Sequence, residues 1–307
     1  MAGKGGTGKT TLAAALALVA ARRGKRVLCI EVDAKGDLPR TLGSTPLGFE
    51  PRVVQPHISC LSFNAEEALA EYLKLYFKVP RFARLTPLAR VFDFAASGVP
   101  GAKDVLVIGK IAFEEKRLEG SRHAWDLIIV DTEATGHVLP QLNAARAMME
   151  LVKGGIILGQ VRWIDQILSD PQRTLLTICA LPEDMPVTEA IELHDRALAE
   201  TRIAVGACFL NRCFPLTITA RQLRPLELAV TSAARRRTVS AALRADPQAL
   251  LVGARLGQRL GTATQVHLRR LRAHMSCPVL EIPMRAGSRE GLATARMVAA
   301  SLAEPTT

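Results

Sequence analysis

Aromatic residues are scarce in this sequence, at 4% of 307 residues, although hydrophobic residues reach 49%. The core must therefore be built mainly from Ala, Leu, Val and Ile, which favours many helices around a modest sheet. The sequence also lacks an apolar run of about 18 residues, the length that spans a bilayer, and shows no signal-peptide pattern. We therefore expect a cytoplasmic location, with peripheral attachment to a membrane as the alternative.

Cysteine pairs with the spacing of metal ligands are missing as well. The nearest case is Cys208 and Cys213, a C-x4-C spacing with no His or further Cys close behind it. Most of the cysteines fall inside apolar strand-like runs, where a reduced thiol packs as a small hydrophobe. A metal site built on cysteine is therefore disfavoured.

Negative charge is the minority, because 40 basic residues against 29 acidic ones give a formal charge of +11. Arginine far outnumbers lysine, and many arginines are crowded between Arg221 and Arg272. Such a run could bind nucleic acid or anionic lipid. The plainer interpretation is that these arginines cover solvated helix faces, since the run has almost no aromatic residues to stack on bases.

Short apolar runs alternate with Ala- and Leu-rich runs along the chain. The predicted strands are Arg26–Asp33, His57–Phe63, Trp125–Asp131, Thr174–Leu181, Ile203–Asn211 and Cys277–Pro283. The predicted helical stretches are Lys9–Arg22, Glu66–Arg117 with a break near Ser97–Gly101, Thr217–His274, and a closing helix within Gly291–Thr307. Asn64, with Glu67 three residues later, is a predicted helix N-cap. This alternation is typical of an α/β fold, a mostly parallel doubly wound sheet with helical insertions.

The segment GKGGTGKT, Gly3 to Thr10, satisfies the phosphate-binding pattern G-x-x-x-x-G-K-[ST] of a P-loop at every fixed position. Its glycines let successive backbone N–H groups turn towards phosphate oxygens, Lys9 reaches the terminal phosphates, and the Thr10 hydroxyl binds Mg²⁺. The predicted nucleotide contacts are Gly3, Gly5, Gly6, Thr7, Gly8, Lys9, Thr10 and Thr11. The pattern predicts a P-loop nucleotide hydrolase that uses Mg²⁺.

Two aspartates end predicted strands. Asp131 stands where a carboxylate would hold Mg²⁺ through water, and Asp33 ends a strand close to the loop, where it could orient the attacking water. Either residue alone could equally cap the following helix. With the loop, they predict nucleotide hydrolysis in which Lys9 and Asp33 are candidate catalytic residues.

Lys4, just after the first glycine, resembles the signature lysine of the deviant Walker A family of dimeric ATPases. In that family the signature lysine reaches across the dimer to the partner's nucleotide, and the resemblance implies that role for Lys4. It also implies a homodimer, or a heterodimer with a paralogous ATPase.

Three downstream segments resemble the arsenical-pump and tail-anchored-protein-targeting branch of that family. DTEATGH, Asp131 to His137, is similar to its switch II motif DTAPTGH. LPEDMPVTEAIEL, Leu181 to Leu193, is similar to its segment PE-x-M-x-x-x-E, and GACFLNR resembles the strand whose asparagine, here Asn211, recognises adenine. The resemblance implies a bacterial relative that handles a hydrophobic or membrane-associated client.

The sequence departs from this branch at both switches. Switch I commonly reads DPAHS, whereas this chain has DAKGD from Asp33 to Asp37, and switch II carries Glu133 and Ala134 in place of Ala and Pro. No cluster of thiolates for arsenite is identified, and the CxxC clasp of the tail-anchored targeting factors is absent. Arsenite transport is therefore disfavoured, and the rate of hydrolysis is an open question.

We interpret residues 1–307 as one P-loop ATPase domain, with a helical subdomain formed by insertions at about 65–122 and 217–274. Two alternatives stay open. One is a partition- or positioning-type ATPase that binds DNA or a membrane through its basic surface, although nucleic acid is the less favoured partner. The other is a weakly hydrolysing subunit of a heterodimer.

A P-loop needs a strand before it, and almost nothing precedes Gly3 in this sequence. In the predicted fold that strand lies centrally, beside the strand that ends at Asp131. We expect the natural protein to begin upstream. For the sequence as it stands, we expect a gap or a substitute strand between Leu127–Asp131 and Thr174–Leu181.

Overall fold

The first half of the chain builds a four-stranded sheet. The computed structural model describes residues 1–77, 102–132, 135–151, 154–216, 218–285 and 291–303. The sheet strands are β1 (Val27–Glu31), β2 (Arg52–Gln55), β3 (Ile58–Ser62) and β6 (Leu127–Asp131), in the order β2–β3–β1–β6. β1 runs parallel to β3 and to β6, whereas β2 is an antiparallel edge strand.

The second half builds a three-stranded parallel sheet in the order β7–β8–β9. Its strands are β7 (Leu175–Ala180), β8 (Ala204–Cys213) and β9 (Val279–Pro283). All six strands predicted from the sequence are confirmed, with ends shifted by at most two residues. Three further strands were not predicted: β2, and a short hairpin of β4 (Leu118–Glu119) with β5 (Arg122–His123).

Between β6 and β7 lies a slot that, among the residues that the structure describes, Met1 and Ala2 enter. Ala2 bridges Ile178 of β7 in parallel, and the Met1 ammonium donates to the carbonyl oxygen of Val130 on β6 at 2.8 Å. Towards the N-terminal ends of β6 and β7, a cavity of about 440 Å³ separates the two strands. This is the gap that the sequence analysis expects at this place.

Helices cover both faces of the strands. They are α1 (Lys9–Arg22), α2 (Asp37–Thr41), α3 (Ala65–Phe77), α4 (Ala102–Lys116), α5 (Thr135–Leu151), α6 (Gly155–Ser169), α7 (Asp184–Glu200), α8 (Ala220–Ala229), α9 (Ala233–Leu243), α10 (Pro247–His274) and α11 (Leu292–Ala303). In the described part of the chain, none of them combines the length and the apolar run needed to cross a bilayer.

Small side chains let α1 lie close to the sheet and to the closing helix α11. Ala13, Ala14 and Ala17 of α1 share one buried cluster with Ala295 and Ala299 of α11. Alanine loses no side-chain rotamer freedom when it is buried, and its small size allows two backbones to approach closely. The alanine-rich composition noted above therefore serves this contact.

The described part of the predicted helical stretch 66–117 contributes side chains to the core. Asn64 caps α3 as predicted, because its Oδ1 accepts from the backbone N–H of Glu67 at 3.0 Å. Val107, Ile108 and Ala112 of α4 are buried, and α4 packs on α5 and α6. The predicted break near Ser97–Gly101 lies outside the described residues.

The predicted helical stretch 217–274 is divided into α8, α9 and α10. Side-chain caps make the divisions: Ser232 accepts from the backbone N–H of Arg235, and Asp246 accepts from those of Gln248 and Ala249. Caps of this kind replace hydrogen-bond partners that the first turn of a helix lacks. Of these three helices, α10 packs against β8 and β9, whereas α8 packs mainly on α10.

Candidate functional site

The Gly3–Thr10 loop leads from the slot to α1, and two of its glycines are fixed by their neighbours. Gly3 has a φ of 148°, and a Cβ there would lie 2.2 Å from the carbonyl oxygen of Cys179. Gly8 has a φ of 91°, and a Cβ there would lie 2.4 Å from Nδ2 of Asn211. Both positions therefore require glycine for packing reasons, in addition to the predicted approach of phosphate.

The side chain of Lys9 folds back over this loop. Its Nζ donates to the carbonyl oxygens of Gly3 at 2.9 Å and of Lys4 at 3.2 Å. Burial lowers the pKa of Lys9 from its ordinary value, while nearby Asp131 opposes that shift. An ammonium that has lost part of its water and meets only neutral acceptors will interact strongly with phosphate oxygens.

Thr10 and Asp131 meet at the start of α1. The Thr10 hydroxyl donates to Oδ2 of Asp131 at 2.6 Å. Asp131 is buried, and its Oδ1 has no hydrogen-bond partner among the residues that the structure describes. Burial raises the pKa of Asp131, against the opposing effect of the Thr10 hydrogen bond.

The arrangement of these two residues fits the predicted Mg²⁺. A buried carboxylate oxygen without a partner costs free energy, which a cation or an ordered water would recover. Hydroxyl and carboxylate oxygens are also the ligands that Mg²⁺ prefers. Thr10 and Asp131 are therefore the residues that would hold the ion, directly or through water.

Asp33 lies in the exposed loop between β1 and α2, where it forms an ion pair with Lys35. Both residues act on Lys9, since Asp33 raises its pKa and Lys35 lowers it. The switch I loop therefore lies within electrostatic reach of the P-loop lysine. The role of Asp33 in orienting water stays a prediction.

Glu31 is the residue that the sequence analysis missed. This buried carboxylate ends β1, and it accepts from the backbone N–H groups of Gly36 at 3.0 Å, Asp37 at 2.7 Å and Leu38 at 3.1 Å, and from the Ser62 hydroxyl at 2.7 Å. It ties switch I to the sheet. The signal was available, because a carboxylate within an otherwise apolar strand must find partners.

Lys4 is held within its own chain. Its Nζ donates to Oε1 of Glu189 at 2.7 Å and contacts the sulfur of Met185. Both partners lie on α7, in the segment matched to PE-x-M-x-x-x-E, so two motifs far apart in the sequence meet in space. A role for Lys4 across a dimer would require this ion pair to open.

Asn211, near the end of β8, supports the P-loop. Its Nδ2 donates to the carbonyl oxygen of Thr7 at 2.8 Å, and its Oδ1 accepts from the backbone N–H of Arg212 at 2.9 Å. Adenine recognition by Asn211 stays a prediction, since its amide is engaged with the loop here. At switch II, Glu133 and Ala134 lie outside the described residues, and α5 begins directly after them.

The Gly3–Thr10 loop and Asp131 have the geometry of a P-loop with its carboxylate partner. Comparison with known proteins identifies the family. The family model described as anion-transporting ATPase matches residues 1–158, about half of the chain. This chain belongs to the anion-transporting ATPase family. The matched residues include the P-loop, switch I and the strand that ends at Asp131.

The chain is also similar in sequence to individual ATPases. The chain is 31% identical over 227 residues to ATPase BagA of Mycobacterium tuberculosis, a match that covers 72% of this chain and 66% of that protein. It is 26% identical over 232 residues to the arsenical pump-driving ATPase of Acidiphilium multivorum, covering 69% of this chain and 39% of that one. ATPase get3 of Schizosaccharomyces japonicus is 29% identical over 143 residues, 46% of this chain and 41% of its own length. The chain thus spans only part of each of these relatives.

Proposed function

We propose that this member of the anion-transporting ATPase family hydrolyses ATP with Mg²⁺. The observation that carries the proposal is the meeting of Thr10 with the buried, half-satisfied carboxylate of Asp131 at the start of α1. Bound Mg²⁺ would neutralise charge on the phosphate oxygens. Lys9 would leave the carbonyl oxygens of Gly3 and Lys4 to bind the terminal phosphates, and Asp33 would orient the attacking water.

We further propose that the chain acts as a dimer, with itself or with a paralogous ATPase. Support comes from Lys4, whose position in the loop resembles that of a signature lysine. Its ion pair with Glu189, whose two side chains are 34% and 31% exposed, can open. The nucleotide cycle would then move a helical subdomain formed by about 65–122 and 217–274. Its client would be a hydrophobic or membrane-associated protein.

Replacing Lys9 by alanine tests the hydrolytic part of this proposal. We expect Lys9→Ala and Asp33→Asn to lower the steady-state rate of phosphate release from Mg-ATP by roughly a hundredfold or more. Each change removes a charged side chain that would contact the reacting phosphate or the attacking water. Lys25→Ala is the matched control, since Lys25 is exposed. Wild-type rates in both site variants would overturn the proposal.

A second candidate is a subunit that binds nucleotide but turns it over slowly. The ion pair between Asp33 and Lys35 favours it, because a carboxylate held by an ammonium is a weaker partner for water. Single-turnover measurements on the wild type distinguish the two functions. Stoichiometric ATP binding with negligible phosphate release, together with faster release in Lys35→Ala, would support the slow subunit.

A further inference from the structure

One part of the molecule carries positive charge that the ATPase site does not use. We define the arginine lobe as residues 220–260, which comprise α8, α9 and the N-terminal half of α10. It contains eight arginines, two carboxylates and no lysine or aromatic residue. The basic residues are Arg221, Arg224, Arg235, Arg236, Arg237, Arg244, Arg255 and Arg259.

Both carboxylates of the lobe are occupied within it. Glu227 of α8 accepts from the guanidinium of Arg255 on α10 at 2.8 Å, and Asp246 caps the start of α10. Eight arginines and two carboxylates leave the lobe a net charge of +6. The Glu227–Arg255 ion pair also links α8 and α10, so the arginines of the two helices belong to one surface.

Exposed aliphatic residues lie among these arginines. On α10, Val252, Arg255, Leu256 and Arg259 follow each other at helical spacing and share one face. Val252 is 61% exposed and Leu256 is 56% exposed. On α8, Leu228 is 56% exposed and shares its face with Arg221 and Arg224. The lobe thus presents guanidinium groups and branched apolar side chains together.

This combination selects among the partners that could cover the lobe. A second copy of the chain would bring the same charge to the same face, and like charges repel. A nucleic acid would meet the arginines with phosphates, but it would leave Val252, Leu256 and Leu228 without an apolar partner, and the lobe has no aromatic residue to stack on bases. A membrane surface provides anionic headgroups and an apolar boundary at adjacent depths.

We propose that the arginine lobe docks on membranes that contain anionic phospholipids. The guanidinium groups bind headgroup phosphates, while Val252, Leu256 and Leu228 enter the boundary of the acyl chains. α9 contributes the consecutive Arg235, Arg236 and Arg237, all exposed. The docking places the ATPase at a membrane surface.

Vesicle flotation of the full chain without nucleotide tests this proposal. We expect the protein to float with phosphatidylcholine vesicles that contain phosphatidylglycerol, and to stay at the bottom with pure phosphatidylcholine. Combined substitution Arg235→Gln, Arg236→Gln and Arg237→Gln should weaken binding by at least tenfold, because each basic residue near an anionic surface contributes attraction. The matched control, Arg22→Gln, Arg23→Gln and Arg52→Gln, removes the same charge from exposed positions outside the lobe and should bind as the wild type does.

A second pair of variants separates lipid from nucleic acid. Val252→Ser with Leu256→Ser keeps every charge, so it should weaken vesicle binding severalfold while leaving any binding to duplex DNA unchanged. Thermal unfolding of each variant establishes that it is folded. The proposal is wrong if anionic vesicles do not float the protein, if the control triple loses as much binding as the lobe triple, or if duplex DNA binds more tightly than vesicles at the same salt. The Lys9→Ala variant should bind vesicles as the wild type does. The vesicle result can therefore be interpreted even if the ATPase proposal fails.

Discussion

At the scale of single residues, Glu31 shows how the altered switch I of this chain is held. The common DPAHS is replaced by DAKGD, and Ala34 within it adopts a left-handed φ of 50°, which costs free energy for a residue with a Cβ. Glu31 offsets that cost because it accepts hydrogen bonds from the backbone N–H of Gly36 in this loop and from those of Asp37 and Leu38 at the start of α2. The loop is therefore fixed from the sheet side.

We predict that Glu31→Gln separates catalysis from binding. An uncharged amide cannot accept as strongly from the backbone groups of Gly36, Asp37 and Leu38, so the free energy of unfolding should fall by about 2 kcal/mol. With Asp33 less well placed, kcat should fall several-fold while the affinity for ATP changes little, because the P-loop itself is untouched. Phosphate release and nucleotide titration measure the two effects.

The exposed Glu66→Gln is a suitable control for this variant. It makes the same chemical change in the first turn of α3 without removing any contact to switch I. If Glu31→Gln lowers stability but leaves kcat unchanged, Glu31 has a structural role only. Equal loss in both variants would contradict the positioning role as well.

At the scale of secondary-structure elements, the open slot between β6 and β7 is the largest departure from a continuous sheet. Leu127 at the start of β6 is 40% exposed and Leu175 at the start of β7 is 55% exposed, although both begin strands that become buried further along. Two strand edges that face each other without a strand between them leave backbone groups unpaired. Among the described residues, Met1 and Ala2 pair with the C-terminal ends of the two strands.

We predict that an extended apolar segment fused before Met1 will occupy this slot. Ala2 already forms a parallel bridge with Ile178. Five β-branched residues added before Met1 would therefore continue alongside the N-terminal half of β7. Covering Leu127 and Leu175 should raise the free energy of unfolding by at least about 2 kcal/mol. Denaturant unfolding measures the change.

A Gly-Ser extension of the same length is the control for chain length alone. It cannot supply apolar side chains to the cavity, so its unfolding midpoint should match that of the original chain. Hydrogen exchange at β6 and β7 provides a second measurement, since pairing would protect their amides. If both extensions behave alike, the slot does not accept a strand.

At the scale of the whole molecule, the position of Lys4 bears on dimerisation. The Lys4–Glu189 pair belongs to one chain, whereas the proposed function needs Lys4 in the partner's site. Formation of the dimer would then exchange one ion pair for another. A partly exposed pair contributes only about 0.5–1 kcal/mol, so the loss of one pair is small beside the gain of the other.

We predict that Glu189→Gln favours the ATP-bound dimer. Removing the carboxylate frees Lys4 in advance, so the dimer dissociation constant in Mg-ATP should fall about two- to fivefold. Analytical ultracentrifugation measures the constant, and Glu192→Gln, an exposed change on the same helix, is the control. A weaker dimer would instead mean that Glu189 itself contacts the partner.

Local patterns in the sequence were sufficient to predict most of the strands and to identify the P-loop. The alternation of apolar runs located β1, β3, β6, β7, β8 and β9, because a buried parallel strand must be apolar on both faces. The fixed spacing of Gly3, Gly8, Lys9 and Thr10 identified the loop. The short strands β2, β4 and β5 escaped, since edge strands of two to four residues carry too little pattern to recognise.

The sequence by itself determined the α/β fold and the phosphate loop, since each depends on residue types at fixed spacing. Only the tertiary structure decided which distant residues meet: Lys4 with Glu189, Thr10 with Asp131, Asn211 with the carbonyl oxygen of Thr7, and Glu31 with the switch I backbone. These contacts join segments separated by up to about two hundred residues or depend on loop conformation. No local periodicity encodes such pairs, because they arise from how strand ends converge when the sheet is assembled.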